Sequence, residues 1–276
     1  MHVLKLTWDP IKSIDLGFFE LHFYSVMWIV AFILGFQVTK RIWKNEGESA
    51  ESLDSLFIYS VLGIMLGARL GHVIFYQSEL ITDDFFSIFL PFKFKGGIQF
   101  TGFQGLASHG AAIGMIISMY LYNKKILKKT ILWILDRVVV PVALGAVFVR
   151  IGNFINSEIV GKKTESAFGV VFKQNSESFA RHPAQLYEAF CYIFVFLILL
   201  YFYWKTKKSE QQGFLFGLFL VLLWTVRFFV EFIKEAQVDG RDDYVWFMNT
   251  GQVLSVPLIL IGLYFMFIYK PKTALH

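Results

Sequence analysis

The chain is poor in the residues that most often announce soluble chemistry. It has one cysteine and six prolines, and charged residues make up only 17% of its 276 positions. The single cysteine, Cys191, excludes a disulfide within the chain. It sits inside an apolar run, where a thiol is harder to ionise, and reads as a small packed residue rather than a nucleophile. There is no His-Glu-x-x-His zinc pair, no Gly-x-Ser-x-Gly elbow, no Gly-x-x-x-x-Gly-Lys phosphate loop and no Gly-x-Gly-Asp aspartyl pattern. No set of His, Cys and carboxylates has metal-ligand spacing. Inverted repeats and low-complexity segments are also missing. The first ten residues carry His2, Lys5 and Asp9 with no long apolar core or small-residue cleavage site, so no cleavable signal peptide is expected.

What is abundant is apolar surface. Apolar residues make up 56% of the chain and the mean hydropathy is +0.55, far above an ordinary soluble domain. The net charge is +5, but the basic residues lie in short clusters between apolar runs. That pattern argues for cytoplasmic loops of a membrane protein and against a nucleic-acid partner.

About 20 apolar residues are needed to cross a bilayer. Seven runs qualify, at roughly 19–39, 54–77, 103–123, 131–152, 184–204, 213–233 and 251–269. Basic clusters follow the first (Lys40, Arg41, Lys44), third (Lys124, Lys125, Lys128, Lys129), fifth (Lys205, Lys207, Lys208) and seventh (Lys270, Lys272). Every second loop is therefore basic, which places the N-terminus outside and the C-terminus inside. The opposite loops include Asp83, Asp84, Asp239, Asp242 and Asp243. The expectation is an all-α integral membrane protein of about seven transmembrane helices, one polytopic domain over 1–276. Two outer stretches are too polar to span: an arm at about 78–102 and a small periplasmic head at about 153–183.

Ionisable groups inside spans are costly and so become functional candidates. Arg69 and His72 share a helix face, flanked by Gly67 and Gly71, which permit close backbone approach. The competing reading of Arg69 is a snorkelling side chain. His109 titrates near neutrality and suits a base, although a helix histidine is more often a structural hydrogen-bonder. A Ser108–His109 pair is rejected, because adjacent helical residues point about 100° apart. Arg150, Asn153 and Asn156 repeat at helical spacing and offer a guanidinium with two carboxamides, donors suited to a phosphate and its glycerol hydroxyls. His182 and Gln185 open the fifth span on one face, and Glu188 enters it. Arg227 and Glu231 are four apart and can pair within one helix. Asp136 and Arg137 read as structural, and Tyr24 beside His22 as a candidate pocket wall. Together these residues suggest a site for an anionic lipid headgroup near the outer leaflet, with one candidate base.

The stretch Arg150-Ile151-Gly152-Asn153-Phe154-Ile155-Asn156-Ser157-Glu158 resembles the signature of the prolipoprotein diacylglyceryl transferase family. His182-Pro183-Ala184-Gln185-Leu186-Tyr187-Glu188, the His109-Gly110 segment, the stretch from Gly67 to Tyr76, and Arg227 with Glu231 are similar to further motifs of that family, in the same order from about Phe18 to Lys270. The resemblance implies a bacterial inner-membrane enzyme that moves the diacylglyceryl group of phosphatidylglycerol onto the lipobox cysteine of a prolipoprotein signal peptide. The products would be a thioether and glycerol 1-phosphate, formed without a metal or organic cofactor among membrane lipids. It further implies catalytic roles for His109, Arg150 and Arg227, and substrate-binding roles for Tyr24, Arg69, Asn153, Glu158, Gly161 and Glu231. On this view His109 assists thiol deprotonation, the arginines clamp the phosphate, and Asn153 orients the headgroup. Four positions depart from the family pattern: Ser157 and Ala111 stand where glycine is usual, His72 where tyrosine is, and Ile159-Val160 where a pair with tryptophan is. A lipid carrier using the same arginines, and an intramembrane protease, are the competing classes.

Overall fold

The computed structural model of the chain describes residues 5–17, 20–90, 92–100, 105, 107–235 and 248–270, with the backbone alone for Phe100, Ser108 and His109. The acidic positions Asp239, Asp242 and Asp243 lie outside the described residues, as does the His109 side chain.

The helices are α1 (Phe23–Asn45), α2 (Ala50–Tyr76), α3 (Leu80–Asp83), α4 (Phe86–Phe89), α5 (Ser108–Tyr122), α6 (Ile131–Ile155), α7 (Ala184–Lys205), α8 (Phe214–Val230) and α9 (Thr250–Phe267). Five of them, α1, α2, α6, α7 and α9, are long and apolar enough to cross a membrane. The apolar α8 is shorter at 17 residues. Helix α5 has 15 residues and runs on into a π-helical turn, Asn123–Leu127, that ends at Lys128 in the left-handed region. The chain is thus a mostly helical, multi-pass membrane protein. Helix α8 stops at Val230, short of the expected 233, and α5 begins at Ser108 rather than near 103.

The expectation of a purely helical chain needs one correction. Three small strand pairs join polar connections that cannot leave their backbone groups unpaired. Strand β1 (Leu6–Trp8) pairs in parallel with β6 (Val170–Phe172), while β2 (Ser13–Asp15) with β3 (Glu20–His22), and β4 (Phe92–Lys93) with β5 (Gln99–Phe100), are antiparallel.

The chain divides into two compact units, residues 40–131 and residues 1–39 with 132–276. In the first, α2 and α5 meet along glycines. A Cβ on Gly67 would come within 2.8 Å of Gly114 Cα, and one on Gly71 within 2.7 Å of Gly110 Cα. One on Gly63 would strike Ser118. This is the small-residue mode by which helices associate in lipid, where dispersion contacts replace the hydrophobic effect. Helix α2 begins at Ser49, whose side chain accepts from Ser52 N at 3.1 Å.

In the second unit, small residues again set close approaches: Gly35 faces Pro141 and Gly145 faces Ala31, which brings α1 onto α6. Buried Asp136 of α6 caps α8, accepting from Gly213 N at 2.6 Å and Phe216 N at 2.8 Å. A carboxylate at a helix N-terminus answers both its orphan N–H groups and its dipole. The neighbouring Arg137 lies over the Trp133 ring at 4.3 Å. Both residues therefore serve the fold, as their sequence position suggests. Past α6 the chain forms a small folded segment on a cluster of Phe154, Val170 and Phe172 with Trp8, Val160 and Leu186. Trp8 Nε1 donates to Phe154 O at 3.0 Å. Arg181 pins the segment, forking onto both Glu177 oxygens at 2.5 and 2.6 Å and reaching Glu235 at 2.8 Å.

Candidate functional site

The site grows from the last turn of α6. Three residues separate Arg150 from Asn153, so the two share a face, and Arg150 Nη1 donates to Asn153 Oδ1 at 3.3 Å. The helix then closes with a left-handed residue. Ser157 has φ +57°, and Glu158 N donates back to Asn153 O at 3.0 Å, the bond pattern of a Schellman end. That cap folds Glu158 over the turn, where Asn153 Nδ2 donates to Glu158 Oε1 at 2.6 Å. Gln185 Nε2 donates to Glu158 O at 2.5 Å from the first turn of α7. The Tyr24 ring packs where Gly152 lacks a side chain: a Cβ there would lie 2.8 Å from Tyr24 Cδ2. Asn156 lies just beyond the helix and is not among Arg150's partners, so one carboxamide, not two, meets the guanidinium.

Behind this turn lies a buried charge cluster. Glu188, with 0% exposure, places Oε2 at 2.9 Å from Arg150 Nε and Oε1 at 3.5 Å from Lys234 Nζ. Lys234 also faces Glu231 Oε2 at 4.0 Å. Both Arg150 and Arg227 act electrostatically on Lys234 and on Tyr192, so the two arginines share one neighbourhood. Burial pulls the Lys234 ammonium below the usual lysine range; Glu188 opposes that shift, and the two arginines add to it. Arg227 lies over the Trp224 ring at 5.3 Å, and its buried Nε has no hydrogen-bond partner among the described residues. Among the described residues, three cations (Arg150, Arg227, Lys234) and three carboxylates (Glu158, Glu188, Glu231) thus gather around this turn.

Several expectations change. Glu231 does not pair with Arg227. It is the residue after α8, and its carboxylate turns toward Lys234 and packs against Gly251 of α9. Its backbone is still helical, with Glu231 N donating to Arg227 O at 3.0 Å, so it is the side chain alone that turns away from Arg227. Gly161 marks a close approach of backbones. It bridges to Lys234, and a Cβ there would come within 2.7 Å of both His182 O and Ile233 O. Arg69, in the other unit, donates to Ser87 O at 2.8 Å, Ile88 O at 3.1 Å and Gly105 O at 3.4 Å. Its guanidinium braces the connection at Ser87, Ile88 and Gly105. His72 lies beside the same Gly105 and stacks on Tyr76 at 5.4 Å. The structure therefore gathers Tyr24, Arg150, Asn153, Glu158, Gly161, Arg227 and Glu231 within one unit. Sequence reasoning missed Lys234 and left Glu188 undecided. The available signal was a lysine three residues after Glu231, at the foot of an apolar run.

Residues 12–268 match the family described as prolipoprotein diacylglyceryl transferase. A phosphatidylglycerol–prolipoprotein diacylglyceryl transferase of Bacteroides fragilis is 38% identical over 273 residues, covering 98% of this chain and 97% of the relative. The protein of the same name from Tolumonas auensis is 39% identical over 266 residues, covering 96% and 97%. That from Porphyromonas gingivalis is 34% identical, covering 94% and 93%. With nearly the whole sequence aligned and the signature turn of α6 folded around Arg150, this chain belongs to the prolipoprotein diacylglyceryl transferase family.

Proposed function

We propose that this chain transfers the diacylglyceryl group of phosphatidylglycerol to the lipobox cysteine of prolipoprotein signal peptides, the first step of lipoprotein maturation. The observation that carries the reading is the gathering of Arg150, Arg227 and Lys234 in one buried neighbourhood, where Arg227 Nε has no hydrogen-bond partner among the described residues. A phosphodiester oxygen would accept from such donors.

The chemistry follows from charge. The cysteine thiol gives up its proton, the sulfur attacks the glycerol carbon of the diacylglyceryl group, and the bond from that carbon to the phosphate oxygen breaks. The electron pair stays on the phosphate, which passes from a singly charged diester toward a doubly charged monoester, glycerol 1-phosphate. Cations fixed around it gain more from the second charge than from the first, so they favour the transition state over the ground state. Arg150 offers a planar fork to the phosphate oxygens, and Arg227, in the same neighbourhood, carries an Nε–H that has no partner among the described residues. Asn153, held between Arg150 and Glu158, orients the headgroup. Tyr24 lines the same turn. His109, at the start of α5, is the base for the thiol proton. Arg69 contributes by holding its connection in place.

The seven apolar runs form seven spans of a single membrane domain in the inner membrane, with α5 and α8 among them. The N-terminus, the arm (78–102) and the head (153–183) face the periplasm, and the C-terminus faces the cytoplasm, because the basic loops alternate with these segments.

The test is direct. Purified protein is incubated with phosphatidylglycerol labelled in its acyl chains and a lipobox peptide, and the mass at the peptide cysteine is read. The expected result is one diacylglyceryl adduct, with glycerol 1-phosphate released. Lipid movement without adduct, or cleavage of the peptide, would overturn the reading.

A further inference from the structure

Glu188 is the most enclosed charge in the cluster, and its two oxygens face different cations. Oε2 lies 2.9 Å from Arg150 Nε as an ion pair without a directed hydrogen bond, while Oε1 accepts from Lys234 Nζ at 3.5 Å. Its side chain has no contact with solvent. A carboxylate in that setting stays ionised only beside cations, and removing one partner leaves an uncompensated charge.

The nitrogen that Glu188 selects has a consequence for Arg150. A guanidinium presents five coplanar N–H groups, one on Nε and two on each terminal nitrogen. Glu188 lies on the Nε side, Asn153 accepts from Nη1 at 3.3 Å, and Tyr192 makes a further side-chain hydrogen bond to Arg150. Against five N–H groups these contacts leave terminal donors at the end away from the carboxylate. That end suits two oxygens of one phosphate. A carboxylate seated across both terminal nitrogens would instead have occupied the fork. Lys234 completes the device: it draws on the other oxygen of Glu188, and it is itself fixed by the bridge to Gly161 and by Glu231 at 4.0 Å.

We propose that Glu188 is a positioning residue that aims the Arg150 fork at the phosphodiester, with Lys234 holding Glu188 in the orientation this requires. The inference rests on the transfer reaction proposed above.

The test uses the full-length protein in the adduct assay, with thermal unfolding measured in parallel. Glu188→Gln is expected to lower kcat about 10²-fold, the size of effect that follows a misplaced reacting group. KM for phosphatidylglycerol should change much less. It should also lower Tm, since Lys234 loses its main counter-ion. The double variant Glu188→Gln/Lys234→Met removes both charges together. It is expected to recover Tm while remaining as slow as Glu188→Gln, a result that a purely structural role would not give. Lys234→Met alone should slow turnover less than Glu188→Gln, because Arg150 keeps its partner. Full turnover in Glu188→Gln, or recovery of rate along with Tm in the double variant, would overturn the proposal. Failure of the unmodified protein to form any adduct would instead sink the transfer reading beneath it.

Discussion

Residues 40–131 and the helices from α6 to α9 each carry polar groups among apolar ones, and they treat them in opposite ways. In the first, polar side chains close on backbone. Arg69 holds three carbonyls, Asp84 accepts from Phe94 N and Lys95 N, and the helices touch through glycine. In the second, charge meets charge, and Arg227 Nε has no hydrogen-bond partner among the described residues. Arginine inside an apolar chain is expensive in either place. The difference lies in what satisfies it: backbone carbonyls fix a shape, whereas a buried cation with an unanswered N–H retains attraction for an anion.

The largest expected effect separates the two arginines. Arg150→Lys keeps the charge but loses the fork, and kcat should fall about 10²–10³-fold, equivalent to roughly 3–4 kcal/mol. Arg69→Lys should cost less than about tenfold in kcat, while protease cleavage within 84–105 rises. Equal losses in both variants would break the comparison. Next is Gly67→Val, which forces a side chain against Gly110 and Gly114. A destabilisation of about 3 kcal/mol is expected, read as a lowered midpoint of thermal unfolding in detergent. An unchanged midpoint would show that glycine contact does not hold α2 to α5. Asp136→Asn should cost about 1–2 kcal/mol by weakening the cap of α8, without altering the phosphatidylglycerol KM. Ser157→Gly should instead stabilise by about 1 kcal/mol, because position 157 has φ +57° where a side chain is strained. A lower midpoint there would mean that the serine contributes a contact worth more than its strain.

The smallest effect concerns acid. The Ser87 hydroxyl and the backbone N–H groups of Phe94 and Lys95 hold the Asp84 carboxyl below the usual carboxylate range. A depressed folded value means that its contribution is complete above about pH 4 and is lost as pH falls through the folded value. A spin label at Lys93→Cys should stay constrained from pH 8 to pH 5 and gain mobility only in stronger acid. Mobility rising already between pH 7 and pH 5 would contradict this.

Much of the second unit was legible in the sequence. Arg150 and Asn153 meet because helical spacing puts them on one face, and the expected start of the fifth span lies within a residue of α7. The departure at Ser157 also has its physical reason, since the residue stands in the left-handed region that glycine favours. Lys234 was not legible. Its burial comes from a bridge to Gly161, far away in sequence, which no local pattern encodes. The carbonyl partners of Arg69 were hidden for a related reason: hydropathy reveals that a charge is costly but not which carbonyls will answer it. The Arg227–Glu231 pair did not form because the Glu231 carboxylate turns to Lys234 and Gly251, a choice set by tertiary neighbours that spacing does not encode.

The enclosure of Glu188 also bears on how the protein is built. A carboxylate that ends with no water beside it must meet a cation before its helix leaves water, or else cross as a neutral acid. The cation at 2.9 Å lies on α6, the helix made immediately before. A growing chain that delivers α6 and α7 as a hairpin carries acid and base into the bilayer as a pair, whereas α7 on its own would carry a naked charge.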